Sequence, residues 1–359
     1  MGKITWEKLL GEKLLRYEGL NMELNMKNQL IDNFGRKITY LRISVTDRCD
    51  FRCTYCMTEN MEFLPKKDVL TMEEMYRVCH MFVSMGVRKI RVTGGEPLVR
   101  KNVIQLFQYL GDLKRQGNLD EICVTTNGST LEKHAQALKD AGVERVNVSL
   151  DTQDEETFNA LTRTNKFHIV MAGIQKAKAV GLKVKINTVA LNKINDKQVR
   201  QLVAYCIEND FDITFIEVMP MGDMGGEDRL NNFLPLEEVK KELAIEYVLT
   251  PISHSTGGPS KYHQVENTNT KVGFITPLSN TFCGDCNRVR VTCTGTLFSC
   301  LGQDNNVELL PIVRTNDGWE KPLSEAIIKA IYEKPKEHNF VISEDSQMSV
   351  NRHMSVTGG

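Results

Sequence analysis

The chain has 359 residues, 41% of them hydrophobic and 25% charged, which supports a sizeable core and excludes a disordered or fibrous protein. Its length suits two domains at roughly 150 residues each. Lys and Arg number 45 against 46 Asp and Glu, a net charge of −1, so no general basic field is available for nucleic acid or an anionic membrane, and any polyanion must be held by a local cluster.

In chain order, residues 1–28 read as a polar, partly amphipathic extension. Glu7 and Glu12 stand among its lysines, which suits neither a signal nor a transit peptide, and Trp6 occupies the position where a myristoylation motif wants Ser or Thr. No uninterrupted apolar run approaches the ~18 residues that span a bilayer. These features predict a soluble cytoplasmic protein with no membrane or nucleic-acid partner.

From about residue 38 strand-like runs rich in Ile and Val alternate with helix-like segments. The strands fall at 39–45, 88–93, 121–126, 145–150, 183–191 and 213–218; the helices include 71–86 and 130–142, the latter ending at a plausible Gly cap. Strand and helix repeated about six times imply a parallel sheet with right-handed crossovers. An open doubly wound sheet and a barrel of fewer than eight units both fit. Neither GxGxxG after the first strand nor GxxxxGK[ST] is present. Polar and sulfur groups instead collect at the carboxyl ends of the strands: Cys49 to Cys56, Thr93-Gly94-Gly95-Glu96, Thr125-Thr126-Asn127, Ser149-Leu150-Asp151, Asn187 and Glu217-Val218-Met219. A β/α barrel builds its active site at that rim, which favours a partial barrel.

After about residue 220 the pattern changes. GDMGGED at 222–228 reads as flexible, short strands and hairpins run from 257 to about 300, and a helix is expected at 323–335 before a polar tail ending Gly358-Gly359. The expected division is an extension at 1–28, a barrel at 29–225, a smaller α+β domain at 226–340 and a tail at 341–359.

Ten cysteines in a chain with no targeting signal favour metal or redox chemistry over disulfides. Cys49-x3-Cys53-x2-Cys56 follows the first strand. Three thiolates can hold three irons of a cubane and leave the fourth open to a non-protein ligand, whereas a closed zinc site wants four ligands and His80 lies inside a predicted helix. Isolated buried thiols are the plain alternative.

CDFRCTYC, with Tyr55 before its last cysteine, resembles the signature of the radical S-adenosylmethionine superfamily, and Thr93-Gly94-Gly95-Glu96-Pro97 resembles its motif for the amino group of S-adenosylmethionine. A partial (β/α)6 TIM-like barrel is what that resemblance implies. So is a [4Fe-4S] cluster on Cys49, Cys53 and Cys56 that chelates S-adenosylmethionine and, on one-electron reduction, gives a 5′-deoxyadenosyl radical. A second set, Cys283-x2-Cys286-x13-Cys300, joins Asn287-Arg288-Val289-Arg290, GFITPLSNTFC and the terminal Gly-Gly. Together with the first set these resemble the GTP 3′,8-cyclase family over roughly residues 30–359.

That resemblance implies a second [4Fe-4S] cluster on Cys283, Cys286 and Cys300 that meets the guanine base. It implies GTP contacts from Arg42, Arg91, Thr125, Lys185, Arg288, Val289 and Arg290. S-adenosylmethionine contacts are implied for Tyr55, Gly95, Ser149 and Met219. Catalytic importance is implied for Arg288, Arg290, Gly358 and Gly359. A triphosphate wants several Arg and Lys converging from different strands, although any one of them, taken alone, could be an ordinary ion-pair partner. Tyr55 and Met219 could likewise be core filler, Ser149 and Asp151 could cap the next helix, and the last glycines could be a frayed tail.

The family also implies a homodimer, a single-electron donor and cyclic pyranopterin monophosphate synthase as the next enzyme. Two features depart from its pattern. Cys293 lies between Cys286 and Cys300, so four thiols could close a zinc site, with a cluster and a bystander Cys293 the favoured reading. SVTGG carries Thr357 where a bulkier apolar residue is expected. Rival functions are a peptide-modifying radical enzyme with an auxiliary cluster and a non-catalytic iron–sulfur or zinc redox protein.

Overall fold

The computed structural model describes residues 29–58, 60–219, 221, 231–279, 283–315, 317–338, 340, 352 and 354–358. The extension at 1–28, GDMGGED, most of the tail and Gly359 lie outside them. Six strands, β1 (Tyr40–Ser44), β2 (Lys89–Thr93), β3 (Glu121–Thr126), β4 (Arg145–Ser149), β5 (Lys183–Ala190) and β6 (Asp212–Glu217), pair in parallel in sequence order. Helices at Met72–Ser84, Val103–Arg115, Leu131–Asp140, Phe167–Ala179 and Val199–Asn209 fill the crossovers. The first is fixed by a capping box between Thr71 and Glu74. This is the partial (β/α)6 barrel expected.

The strands alternate with period two, and that alternation sorts their chemistry. Leu41, Ile43, Ile90, Val92, Ile122, Val124, Val146, Val148, Ile186, Ile213 and Phe215 are buried in one core with apolar side chains of the helices, such as Phe82, Phe107 and Leu138. Intervening positions turn the other way: Tyr40 and Arg42, Lys89 and Arg91, Thr125, Asn147 and Ser149, Lys185 and Asn187. A one-residue slip in β1, β2 or β5 would put Arg42, Arg91 or Lys185 into the apolar layer, so burying the outer face aims these cations inward.

The sheet extends further than the six-strand rhythm implied. β7 (Leu249–Ile252), β8 (Lys261–Val265), β9 (Lys271–Ile275), β10 (Arg288–Val291), β11 (Thr296–Phe298) and β12 (Asn306–Glu308) join both edges, in the order β12-β11-β10-β1-β2-β3-β4-β5-β6-β9-β8-β7. β9 runs parallel to β6 and β10 parallel to β1. These strands are three to five residues long and belong locally to antiparallel hairpins, so their parallel partners, over 200 residues away for β10, left no local trace in the sequence. The helix Glu320–Tyr332 packs on the β11–β12 side. Among the described residues no helix is long and apolar enough to cross a membrane.

Candidate active site

One cavity of about 310 Å³ opens at the carboxyl rim and runs down the inner face of the strands. It is lined by Arg42, Cys49, Cys53, Tyr55, Cys56, Arg91, Gly95, Thr125, Ser149, Lys185, Met219, Cys283, Cys286, Arg288, Val289, Arg290 and Cys300. Every candidate named from the sequence therefore converges there, save Gly358, which touches two of them, and Gly359, outside the described residues.

The first thiols lie in the loop after β1. Cys56 N and Met57 N both donate to Cys53 O, at 2.9 and 3.1 Å, folding Cys53 to Cys56 into a turn. Arg52 N and Thr54 N donate to Thr162 O and Leu161 O, pinning the loop to the end of the helix Glu155–Thr162. Cys49 Sγ accepts from Phe51 N at 3.4 Å and Asn127 Nδ2 at 3.7 Å. Burial pushes Cys49 up to about 12 and Cys53 well above its usual range, so thiolates here require bound positive charge. Three half-buried sulfurs with N–H donors on one of them fit an iron–sulfur cluster. Among the described residues no group of three His, Cys, Asp or Glu closes on a single metal ion.

Neighbouring residues hold that loop and the rim. Tyr55 packs against Leu161, Leu191 and Val218 and donates to Asp151 Oδ2 at 2.5 Å, while Asp151 Oδ1 accepts from Val189 N at 2.8 Å. Asp151 is therefore not the helix cap it could have been; Asp154 caps that helix, accepting from Thr157 N. A Cβ on Gly95 would overlap Arg48 O and come within 2.8 Å of Asp47 O, so only glycine lets the two loops touch.

Glu96 is fully buried and accepts from Leu98 N at 2.9 Å, Thr126 Oγ1 at 2.8 Å and Asn127 N at 2.6 Å. It thereby ties the loops after β2 and β3 together. Burial outweighs those donors and holds its carboxyl up at about 7. The folded chain thus binds this proton more tightly than the unfolded one. The resulting stability is full below about pH 4.5 and is lost as pH rises through about 7. In iron-free protein the melting temperature should fall more steeply over that interval than in Glu96→Gln; equal slopes would show that Glu96 titrates normally.

Deeper in the cavity the cations gather. Register sets Arg42 beside Arg91 on β2 and Arg290 on β10. Burial, reinforced by Arg91 and Arg288, lowers Arg42 to about 10; burial, Arg42 and Arg288 lower Arg290 well below its usual range. Lys185 is also lowered by burial and donates to Tyr262 Oη, which lies 3.1 Å from Thr256 Oγ1. Lys89 reaches Glu121 and Thr256 O and stands 5.0 Å over the Tyr40 ring. Packing like charges out of water is costly without an anion to meet them, so this wall is built to receive negative charge. Val289 differs from its neighbours: its side chain lies in the apolar core, so its main chain is what meets the cavity.

Asn127 and Asp151 belong to the polar rim read from the sequence and line the cavity, whereas Lys89 and Tyr262, which stand behind lining residues, were not singled out. Lys89 precedes Arg91 on the same strand face, a period-two signal that could have found it. Tyr262 gives none, because its contact with Lys185 spans 77 positions.

The second thiols stand across the cavity. Burial opposes ionisation of Cys286, but Lys334 and Arg288 outweigh it and hold that thiol below its usual range, while burial raises Cys300. Lys334 Nζ donates to Arg288 O and Ser299 O, and Arg36 donates to Cys283 O, Pro335 O and Lys336 O. Three thiols on two braced loops fit a second cluster. Cys293 is fully buried in the main core, raised by burial to about 12, and does not line the cavity; the four-thiol zinc arrangement is not the one formed. Gly358 is buried, its carbonyl accepting from Arg290 Nη1 at 2.6 Å and Arg42 Nη2 at 3.2 Å. Thr357 is completely buried although it is less bulky and apolar than the residue expected there.

A partial barrel with this thiol loop and glycine-rich rim defines a radical S-adenosylmethionine enzyme, and residues 43–206 match the Radical SAM superfamily. The fold is that of Streptococcus suis SuiB in its S-adenosylmethionine-bound crystal structure, with a TM-score of 0.57 at 16% identity over 90% of this chain and 75% of that one. Residues 211–340 match the Molybdenum Cofactor Synthesis C family. The chain is 52% identical over 331 residues to GTP 3′,8-cyclase of Paracoccus denitrificans (strain Pd 1222), covering 92% of this chain and 96% of that protein. It is equally identical to GTP 3′,8-cyclase of Rhizobium etli (strain CIAT 652), covering 92% and 94%. The chain belongs to the GTP 3′,8-cyclase family.

Proposed function

We propose that this cavity converts GTP to (8S)-3′,8-cyclo-7,8-dihydroguanosine 5′-triphosphate, the first step of molybdenum cofactor biosynthesis. The observation that carries the reading is a cationic set, Arg42 and Lys185 buried and Arg91 and Arg290 half-buried, lining one cavity with two three-thiol loops in a chain half identical to the cyclases. When bound, a [4Fe-4S] cluster and S-adenosylmethionine supply the 5′-deoxyadenosyl radical that takes the C3′ hydrogen of GTP. Cys49, Cys53 and Cys56 would hold that cluster. Tyr55, Gly95, Ser149 and Met219 would line the S-adenosylmethionine. Cys283, Cys286 and Cys300 would hold a second [4Fe-4S] cluster on the side of the guanine base.

The chain's own work is orientation and charge. Arg42, Arg91, Thr125, Lys185, Arg288, Arg290 and the main chain at Val289 would fix the triphosphate and ribose, keeping C3′ rather than another carbon toward the first thiol loop. Asn127 and Phe51 N–H groups would stabilise charge on Cys49. The barrel of 29–225 and the region 226–340 act as two functional parts on one sheet. A cytoplasmic homodimer, a single-electron donor and cyclic pyranopterin monophosphate synthase as the next enzyme complete the proposal.

The test is anaerobic turnover of reconstituted protein with S-adenosylmethionine, reductant and GTP deuterated at C3′, read by mass spectrometry of 5′-deoxyadenosine. Deuterium in that product is the expected result. Unlabelled 5′-deoxyadenosine formed equally with and without GTP would discard the substrate and favour a peptide-modifying enzyme. No cleavage by cluster-loaded protein would leave a non-catalytic redox protein.

A further inference from the structure

Six residues before Gly358 the chain makes a second attachment. Arg352 Nη2 donates to Leu301 O and to Gln303 O, both at 2.9 Å, and Nη1 pairs with Asp304 Oδ1 at 2.5 Å. The guanidinium carbon lies 3.8 Å from the Phe298 ring centroid. All four partners belong to the strand and loop that carry Cys300. Asp304 is 66% exposed against 14% for the Arg352 side chain, so solvent screens the ion pair. The two carbonyls and the ring do most of the holding, and they need a planar fork that a point charge cannot reproduce.

The same loop is gripped from another side. A Cβ on Gly302 would come within 2.6 Å of His338 Cβ and 3.1 Å of Phe340, where the chain leaves the second domain. Between Arg352 and Gly358 one helical turn, Met354–Thr357, acts as a short spacer of fixed rise. At the far end the fit is tight: Gly358 abuts the Thr93 side chain and shares its carbonyl between Arg42 and Arg290. Six residues of free chain could reach roughly 20 Å in any direction, so such a fit at one end requires an anchor at the other.

We propose that Arg352 is a positioning residue that locks the carboxyl-terminal segment onto the Cys300 loop and so sets the depth at which Gly358 enters the active cavity. It touches none of the reacting groups. Its effect on turnover passes through Gly358, and that part rests on the function proposed above. The anchor also makes the Cys300 loop and the tail one mechanical unit: whatever orders the loop holds the tail, and the reverse follows by linkage.

Full-length, cluster-reconstituted protein without GTP is compared with Arg352→Ala and Arg352→Lys by amide hydrogen exchange at Val356, Thr357 and Gly358, alongside iron content; kcat and KM for GTP follow separately. Arg352→Ala should exchange at least about tenfold faster at those amides, as expected of local rather than global opening. Iron content should be unchanged and kcat should fall by at least about tenfold with a smaller change in KM, the pattern of lost positioning. Arg352→Lys, which keeps charge without the fork, should recover part of both. Wild-type exchange in Arg352→Ala would overturn the proposal whatever the substrate. Iron lost together with exchange protection would also overturn it, showing a support of the fold instead of a tail anchor. Faster exchange with no GTP turnover in the wild type would uphold the anchor and reject only the substrate.

Discussion

Cys53→Ala should bring 5′-deoxyadenosine formation below detection, a loss of at least about 10⁴-fold, while leaving the barrel folded. Cys53 stands in the turn between Cys49 and Cys56, and each of those sulfurs bears electrostatically on it. Two thiols cannot replace three, and no other thiol lines that end of the cavity: Cys123 and Cys293 are core residues. The side chain is half-buried and packs only at the margin of the core, so its truncation to Ala should cost no more than about 1–2 kcal/mol in stability. Circular dichroism and melting temperature therefore serve as the control, with iron content and 5′-deoxyadenosine as the readouts. Cys300→Ala should behave differently, losing iron from the second set and GTP-dependent product while the first set still supports slow cleavage. Unimpaired cleavage by Cys53→Ala would remove the assignment of the first thiol loop altogether.

How much of this was legible beforehand follows from the range of each interaction. The six central strands show in the sequence because burying one face of each imposes a period of two, and the crossover helices because their signals are local too, as in the glycine that ends the segment 130–142, where Gly142 takes a φ of +85°. Both thiol sets are legible because their spacing is itself chemistry. The basic wall is legible residue by residue, but its convergence is not: Arg42 meets Arg290 only because β10 docks beside β1 across nearly 250 positions of chain. Cys293 shows the same limit. Its spacing admitted it to a metal set, and only its burial in the core, with its carbonyl accepting from Leu70 N, removes it. Tyr262 and Arg352 escaped because a tyrosine or arginine carries no spacing rule, and what gives each its role is a partner brought in by the tertiary fold.

Gly358→Ala should abolish cyclisation almost as fully as deletion of Gly358-Gly359, a loss of at least about 100-fold, with both iron sites retained. Two independent costs act at that position. Its φ of +77° lies where an L side chain costs about 1–2 kcal/mol. A Cβ there would also overlap Thr93 Oγ1 and sit 2.9 Å from Thr93 Cβ. Thr93 is itself almost fully buried on β2 and cannot step aside, so the tail must withdraw and give up the carbonyl shared by Arg42 and Arg290. The two costs can be separated by a double-mutant cycle. Thr93→Ala removes the hydroxyl overlap but neither the 2.9 Å contact nor the backbone strain, so Thr93→Ala/Gly358→Ala should recover part of the activity lost by Gly358→Ala relative to Thr93→Ala alone. Strict additivity would mean that the hydroxyl overlap adds nothing and that backbone strain with the remaining 2.9 Å contact already expels the tail. Full turnover by Gly358→Ala would mean that the seat between Arg42 and Arg290 is not the one used in catalysis, since no alanine can occupy it.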